Sequence, residues 1–222
     1  MSRTAGPHAP AQPGIFITLE GGEGVGKSTQ IKALRDLLAA SGREIILTRE
    51  PGGTPSAEAL RGLLLNPASA FTPLADLFLH FAARADHVER LIKPALARGA
   101  IVLCDRFYDS TMAYQGYGMG VDRDDILRLI RMLGCYPTLT FILHAPPDVT
   151  AARLAARGGG ADRYERMDHA MQARIAAGFR AIAADEAVRC ALIDASGPPD
   201  AVTASIAAIL HDRLGIPQAA HP

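Results

Sequence analysis

Nine residues near the start of this chain constrain its fold more than any others: Gly21-Gly22-Glu23-Gly24-Val25-Gly26-Lys27-Ser28-Thr29. They follow the pattern glycine, four residues, Gly-Lys-Ser/Thr. Ile15-Phe16-Ile17-Thr18-Leu19 ahead of them is apolar and β-branched, as a buried strand is. Behind them Ile31, Leu34, Leu37 and Leu38 recur at helical spacing. Strand, glycine-rich loop and helix together form an anion cradle. The glycines let several N–H groups turn inward, and the helix adds its positive N-terminal end. A lysine at position 27 reaches β- and γ-phosphates, and the Ser28 hydroxyl can coordinate Mg²⁺. The plain alternative is a glycine turn beside a surface lysine. Against it, the chain has only three lysines, Lys27, Lys32 and Lys93, and one falls where the pattern requires it.

The remaining chain alternates strand and helix, which predicts an α/β fold with a parallel sheet covered on both faces. Strands are expected at 15–20, 44–48, 100–105, 138–144 and 190–194. Helices are expected at 27–41, 56–64, 73–98, 123–134, 147–156, 164–186 and 199–213, with Pro94 bending the third. At 222 residues the chain suits one domain, read as 14–214 between a disordered tail at 1–13 and a C-terminal tail at 215–222. Formal charge is zero and no helix-turn-helix or finger pattern occurs, which argues against nucleic acid as a partner. No apolar run has the ~20 residues of a membrane span. Cys104, Cys135 and Cys190 are scattered and odd in number, the pattern of buried reduced thiols in a cytoplasmic protein.

Two further clusters fall where such a sheet presents its strand ends, the place where open α/β sheets bind ligands, and two more lie on the long helix and in a glycine-rich segment. Asp105-Arg106 ends the third strand, with the acid suited to Mg²⁺ and the arginine to the same crevice. Thr48-Arg49-Glu50-Pro51-Gly52-Gly53-Thr54 ends the second, and Arg49 offers a forked contact to a phosphate. His80 and Arg84 stand one helical turn apart and can meet a nucleobase by stacking and hydrogen bonding. Arg157-Gly158-Gly159-Gly160-Ala161-Asp162-Arg163 reads as a lid, spanning about 153–164, that brings arginines to phosphates. The histidines show no metal-ligand spacing, and Ser110 has no triad partners.

These residues resemble the thymidylate kinases in their bacterial form. The resemblance runs from about Gly14 to Leu214. It rests on Asp105-Arg106-Phe107-Tyr108-Asp109-Ser110-Thr111-Met112-Ala113-Tyr114-Gln115-Gly116, on Thr48 to Thr54, and on Phe81-Ala82-Ala83-Arg84 ahead of Ile92-Lys93-Pro94-Ala95-Leu96. It implies a three-layer P-loop NTPase sandwich of the nucleoside monophosphate kinase kind, with a five-stranded parallel sheet and a homodimer packed through helices. It implies transfer of the γ-phosphoryl group of ATP to dTMP with Mg²⁺. On that resemblance, Gly21 to Thr29 cradle ATP, and Ser28 and Asp105 serve the metal. Glu23 approaches the dTMP sugar, and Arg49 and Arg106 hold its phosphate. Arg84 reads a thymine carbonyl, Thr111 faces the base, and Tyr114 lies against the deoxyribose, with Ser110 and Gln115 beside them. Lys27, Arg49, Arg106 and the lid arginines Arg157 and Arg163 supply the catalytic cations.

Two departures stand out. Gly24 occupies the loop position where some members carry arginine, which goes with arginines in the lid, Arg153 among them. His80 stands where the family usually stacks phenylalanine on thymine, with Phe81 next to it, so either ring is a candidate platform. A deoxynucleoside kinase would need a base near a 5′-hydroxyl, and the Arg49 and Arg106 pair favours an acceptor that already carries phosphate. A GTPase switch would need an Asn-Lys-x-Asp motif, and the sole asparagine, Asn66, precedes proline.

Overall fold

The computed structural model describes residues 12–157, 163–164 and 167–216, with Arg157 described by its backbone alone. Five parallel strands, β1 (Ile15–Glu20), β2 (Ile45–Arg49), β3 (Ile101–Asp105), β4 (Leu139–His144) and β5 (Cys190–Asp194), lie in the order β2-β3-β1-β4-β5. The chain leaves β1 toward one side of the sheet and later crosses to β4 on the other. The crevice at that reversal, above the end of β1, is the natural ligand site. Register puts Leu19 beside Asp105 and Arg49 beside Asp105, so three strand ends face one space.

Strand alternation separates two cores. Ile17, Leu19, Ile101 and Leu103 pack with Leu34 of α1 (Lys27–Ala39) and Ile206 and Leu210 of α9 (Pro199–Leu214). Phe16, Val102 and Cys104 face the other way, onto Leu77, Phe107, Ile126 and Phe179. These come from α3 (Pro73–His87), α6 (Arg123–Leu133) and α8 (His169–Asp185), while Phe107 caps α5 (Tyr108–Thr111). The remaining helices are α2 (Pro55–Leu65), α4 (Lys93–Ala97) and α7 (Pro147–Arg157). All three cysteines are free and buried, as composition suggested.

The structure departs from expectation in three places. The helix expected over 73–98 divides: α3 passes into a π-helical stretch, Val88–Ile92, and then α4. Pro94 has no N–H to give the preceding turn, and the Lys93 N–H reaches back to the Val88 carbonyl, which widens the turn there. The helix expected from 164 starts at His169, where the Asp168 side chain caps it by accepting from the Met171 N–H at 2.7 Å. A helical segment with no sequence forecast, α5 and a π-helical run Met112–Gly118, crosses the middle of the molecule. It is buried on nearly every side, so it has no amphipathic period to reveal it. Packing also continues past Leu214, where buried Ile216 joins the core of Ile17, Leu34 and Ile206.

Candidate active site

The end of β1 turns sharply at Gly21, whose φ of 129° suits glycine, and a Cβ there would stand 2.3 Å from the Leu143 carbonyl oxygen. Gly26 caps α1 in the left-handed conformation, with no side-chain cap and no acid in the first turn. That leaves the helix start electrostatically open to an anion. Lys27 is buried beneath the loop and donates to the carbonyls of Gly21 at 2.9 Å and Gly22 at 2.7 Å. Burial, with the Arg106 guanidinium second, pulls its ammonium down to about 8. Asp105 ends β3 beside this loop, and its buried Oδ1 has no hydrogen-bond partner among the described residues.

Arg106 is the one non-glycine with positive φ (69°) among the described residues, a conformation that costs roughly 1–3 kcal/mol. Its surroundings hold it there. Its N–H donates to the Leu19 carbonyl at 2.9 Å, and Nη1 donates to the Gly21 carbonyl at 2.8 Å and to Ser110 Oγ at 3.0 Å. Nη2 pairs with the Glu23 carboxylate, which also accepts from the Tyr114 hydroxyl at 2.9 Å. Beneath, Glu20 accepts from the Phe107 N–H at 2.7 Å and the Ser110 hydroxyl at 2.5 Å. Burial, with the Asp109 charge second, pushes the Glu20 carboxyl well up. Arg49 stands at the rim, its Nη2 donating to the Glu58 carboxylate at 3.0 and 3.2 Å. The Gly53 N–H, chief among several donors, holds Glu58 below its ordinary range.

On α3, Asp76, His80, Arg84 and His87 form one buried polar stripe, successive members one turn apart. Arg84 donates through Nε to Glu50 Oε2 at 2.6 Å and through Nη2 to the Phe107 carbonyl at 3.2 Å. Its buried Nη1 has no partner among the described residues. His87 Nδ1 lies 3.0 Å from Glu50 Oε1, and its Nε2 lies 2.6 Å from Thr48 Oγ1. Asp76 accepts from Gln115 Nε2 at 2.7 Å and the Tyr164 hydroxyl at 3.1 Å, and it pairs with Arg163 at 2.5 Å. His80 Nε2 meets Tyr164 Oη at 2.7 Å. Burial, with Arg84 second, drives His80 down to about 3, so its 3.6 Å approach to Asp76 is that of a neutral ring.

One cavity of about 590 Å³ unites these groups. Of the residues singled out from sequence, it is lined by Glu23 to Thr29, Arg49, His80, Arg84, Asp105, Arg106, Ser110, Thr111, Tyr114 and Gln115. Gly21 and Gly22 contribute their carbonyls to Lys27. Phe81 is a correction: it lies outside this lining, packed in the core with its ring 4.9 Å from the Arg84 guanidinium. Helical geometry turns it about 100° away from His80. Arg163, expected on a phosphate, sits against Asp76 and over the Phe71 ring, outside the lining. Arg153 lines the cavity and donates to the Ala195 carbonyl at 2.8 Å. The Arg157 side chain and residues 158–162 of the expected lid lie outside the described residues.

A strand-loop-helix turn and a buried arginine with one unpartnered nitrogen line the same cavity, and the family model for thymidylate kinase matches residues 19–206. The chain belongs to the thymidylate kinase family. It is 47% identical over 210 residues to the thymidylate kinase of Gluconobacter oxydans, covering 93% of this chain and 98% of that protein. It is 50% identical over 206 residues to the thymidylate kinase of Caulobacter vibrioides, covering 91% and 99%. The crystal structure of thymidylate kinase from Ehrlichia chaffeensis superposes with a TM-score of 0.73 at 34% identity, over 90% of this chain and 99% of that one. The five-stranded sheet flanked by helices is therefore the P-loop nucleoside monophosphate kinase fold expected from sequence.

Four residues of this thymidylate kinase site escaped sequence reading: Glu20, Glu50, Asp76 and Tyr164. Each binds another side chain of the site, and sequence spacing shows little of that. Glu50 lies within the Thr48 to Thr54 run, and Asp76 stands four residues ahead of His80 on the face that carries Arg84.

Proposed function

We propose that this cavity is where the chain transfers the γ-phosphoryl group of ATP to dTMP, giving ADP and dTDP. The observation that carries the assignment is the buried Arg84 Nη1, a donor without a partner among the described residues, in one cavity with the Lys27 loop. A buried donor in want of an acceptor suits the carbonyl of a nucleobase. The loop suits the triphosphate, and Arg106 and Arg49 between them suit the acceptor phosphate.

Phosphoryl transfer asks the protein for alignment and charge neutralisation. The dTMP phosphate is itself the nucleophile and is ionised at neutral pH, so no strong general base is needed. Lys27 exchanges two loop carbonyls for phosphate oxygens when ATP enters, and Arg106, locked on both sides, offers a fixed cation. The unpartnered Asp105 Oδ1 and the Ser28 hydroxyl fit Mg²⁺ and would hold it. Among the described residues no three His, Cys, Asp or Glu side chains converge. When bound, Mg²⁺ neutralises charge on the β- and γ-oxygens.

A homodimer working in the cytoplasm belongs to the same reading. Phe78 is 54% exposed and Met132 80% exposed on the neighbouring faces of α3 and α6, beside a groove floored by Phe81 and Leu129. Apolar surface of that kind supports helix-to-helix pairing of two copies. Among the described residues no helix is long and apolar enough to cross a membrane. The deciding experiment is ADP release from ATP with each nucleoside monophosphate and with thymidine. The expected result is turnover on dTMP above all others; turnover on thymidine instead would move the assignment to a nucleoside kinase.

A further inference from the structure

We propose that Tyr164 is a positioning residue for the nucleobase: with Asp76 it fixes His80 as an Nε2-protonated imidazole forming one wall of the base end, and His80 and Tyr164 act as a matched pair. The inference rests on the dTMP reading of the cavity and names a determinant within it.

Proton counting gives the direction of each bond. The Asp76 carboxylate only accepts, and it takes hydrogen bonds from Gln115 and from the Tyr164 hydroxyl while pairing with Arg163. A phenol has one proton. Once that proton points at Asp76, the phenolic oxygen can only accept from His80 Nε2, 2.7 Å away. His80 must then carry its proton on Nε2, with Nδ1 bare. Burial away from charge-stabilising water agrees with a neutral ring.

The tether also sets the plane of the ring. The χ2 torsion of histidine is broad, so α3 alone leaves the imidazole free to turn. Tyr164 removes that freedom, and it is itself braced, edge-on to Tyr114 at 5.7 Å and 87°, with the Arg163 guanidinium 5.3 Å from its ring. His80, Tyr164, Tyr114, Gln115 and Arg84 all line the cavity, so the tether lies within the wall that would meet a flat ligand. A phenylalanine at position 80 would need no such anchor.

The logic of buried polar pairs makes this testable. Removing one partner strands the other, whereas replacing both by apolar rings of like shape is nearly neutral. Steady-state kinetics are to be measured for wild type, Tyr164→Phe, His80→Phe and the double variant. Tyr164→Phe is expected to raise KM for dTMP about tenfold, leaving kcat and KM for ATP within about twofold, and the double variant is expected to recover most of that loss. Long-range ¹H–¹⁵N NMR of the wild-type histidines, with His80 assigned by its absence in His80→Phe, is expected to show the Nε2–H tautomer. That measurement needs no variant at position 164 to fold. An unchanged KM for dTMP in Tyr164→Phe, additive effects in the double variant, or an Nδ1–H tautomer would overturn the pairing while dTMP turnover stood. Absent dTMP turnover in the wild type would instead remove the reading beneath it.

Discussion

Arg84 and Glu50 form an ion pair sealed from water, Nε to Oε2 at 2.6 Å, with each side chain 2% exposed. A buried pair of this kind gains little net stability, because desolvation offsets most of the attraction. What it gains is aim. Glu50 is shared with His87, which is itself fastened to Thr48, so the guanidinium is held at both Nε and Nη2 and only Nη1 remains to meet a ligand. The Arg84 guanidinium also lies 4.9 Å from the Phe81 ring and 5.4 Å from Phe107, which fixes its plane.

Arg84→Lys keeps the charge against Glu50 and deletes the Nη1 donor. It should fold and retain its KM for ATP, while KM for dTMP rises by about tenfold or more, the cost of a lost charged hydrogen bond. Initial-rate kinetics with each substrate varied in turn will decide. A KM for dTMP equal to wild type would mean that Nη1 does not meet the base.

Lys27→Ala should lose about 10²–10³ in kcat, as the removal of one strong electrostatic stabiliser does. The pH profile gives a second handle. The ammonium of the free protein titrates at about 8 because burial disfavours its charge, so the cationic form that ATP needs declines above that pH. The expected kcat/KM for ATP is level below pH 8 and falls above it. A profile level through pH 9.5 would separate Lys27 from triphosphate binding.

Much of this site was legible because its chemistry is local in sequence. The phosphate loop, Arg49 and Asp105-Arg106 all lie at strand ends, and the short, nearly continuous apolar runs of buried parallel strands mark those ends. The base end was read only in part. His80 and Arg84 announce themselves by helical spacing, yet Asp76 and His87 extend the same stripe and are not distinguishable from a solvated helix face without knowing that α3 is buried there. Tyr164 lies 84 positions from His80, and no periodicity connects them. The α5 segment and the π-helical run after it carry Ser110, Thr111, Tyr114 and Gln115 through the interior, where a helix needs no polar face and so shows no pattern. Helical register with Arg84 favours His80 over Phe81 as the ring against a base, and Phe81, about 100° round the helix, packs in the core.

His80 makes a prediction about acid. Its folded pKa, about 3, lies below the ordinary 6.5, driven by burial and then by the Arg84 and Arg163 charges, with Asp76 and the neutral Tyr164 as its other neighbours. The unfolded chain therefore takes up a proton that the folded one refuses. The stability that His80 permits is complete above pH 6.5 and falls as pH drops toward 3, by up to about 1.4 kcal/mol per pH unit. Urea melts of wild type and His80→Phe between pH 7 and 4.5 should show the gap between them shifting in favour of the variant on acidification. Parallel curves would mean that the ring accepts a proton in place.

Glu20 has the opposite sign. Its folded pKa is raised by burial and then by Asp109, so between pH 4.5 and its folded value the native state keeps a proton that the unfolded chain releases. Its contribution is complete below pH 4.5 and lost as pH rises. Glu20→Gln imitates the protonated carboxyl: its Oε1 still accepts from the Phe107 N–H, and its Nε2 takes the place of the oxygen that meets Ser110, whose hydroxyl turns to accept instead. Its stability relative to wild type should therefore improve steadily from pH 5 to pH 8. Glu20→Ala strands both donors and should cost about 2–3 kcal/mol at any pH in that range. It should also lower kcat, because Ser110 and the turn at Phe107 hold Arg106 in its left-handed backbone. Denaturant titrations at three pH values, with kcat measured alongside, test the chain of cause. A Glu20→Ala protein with full kcat would show that Arg106 keeps its place without the buried carboxyl beneath it.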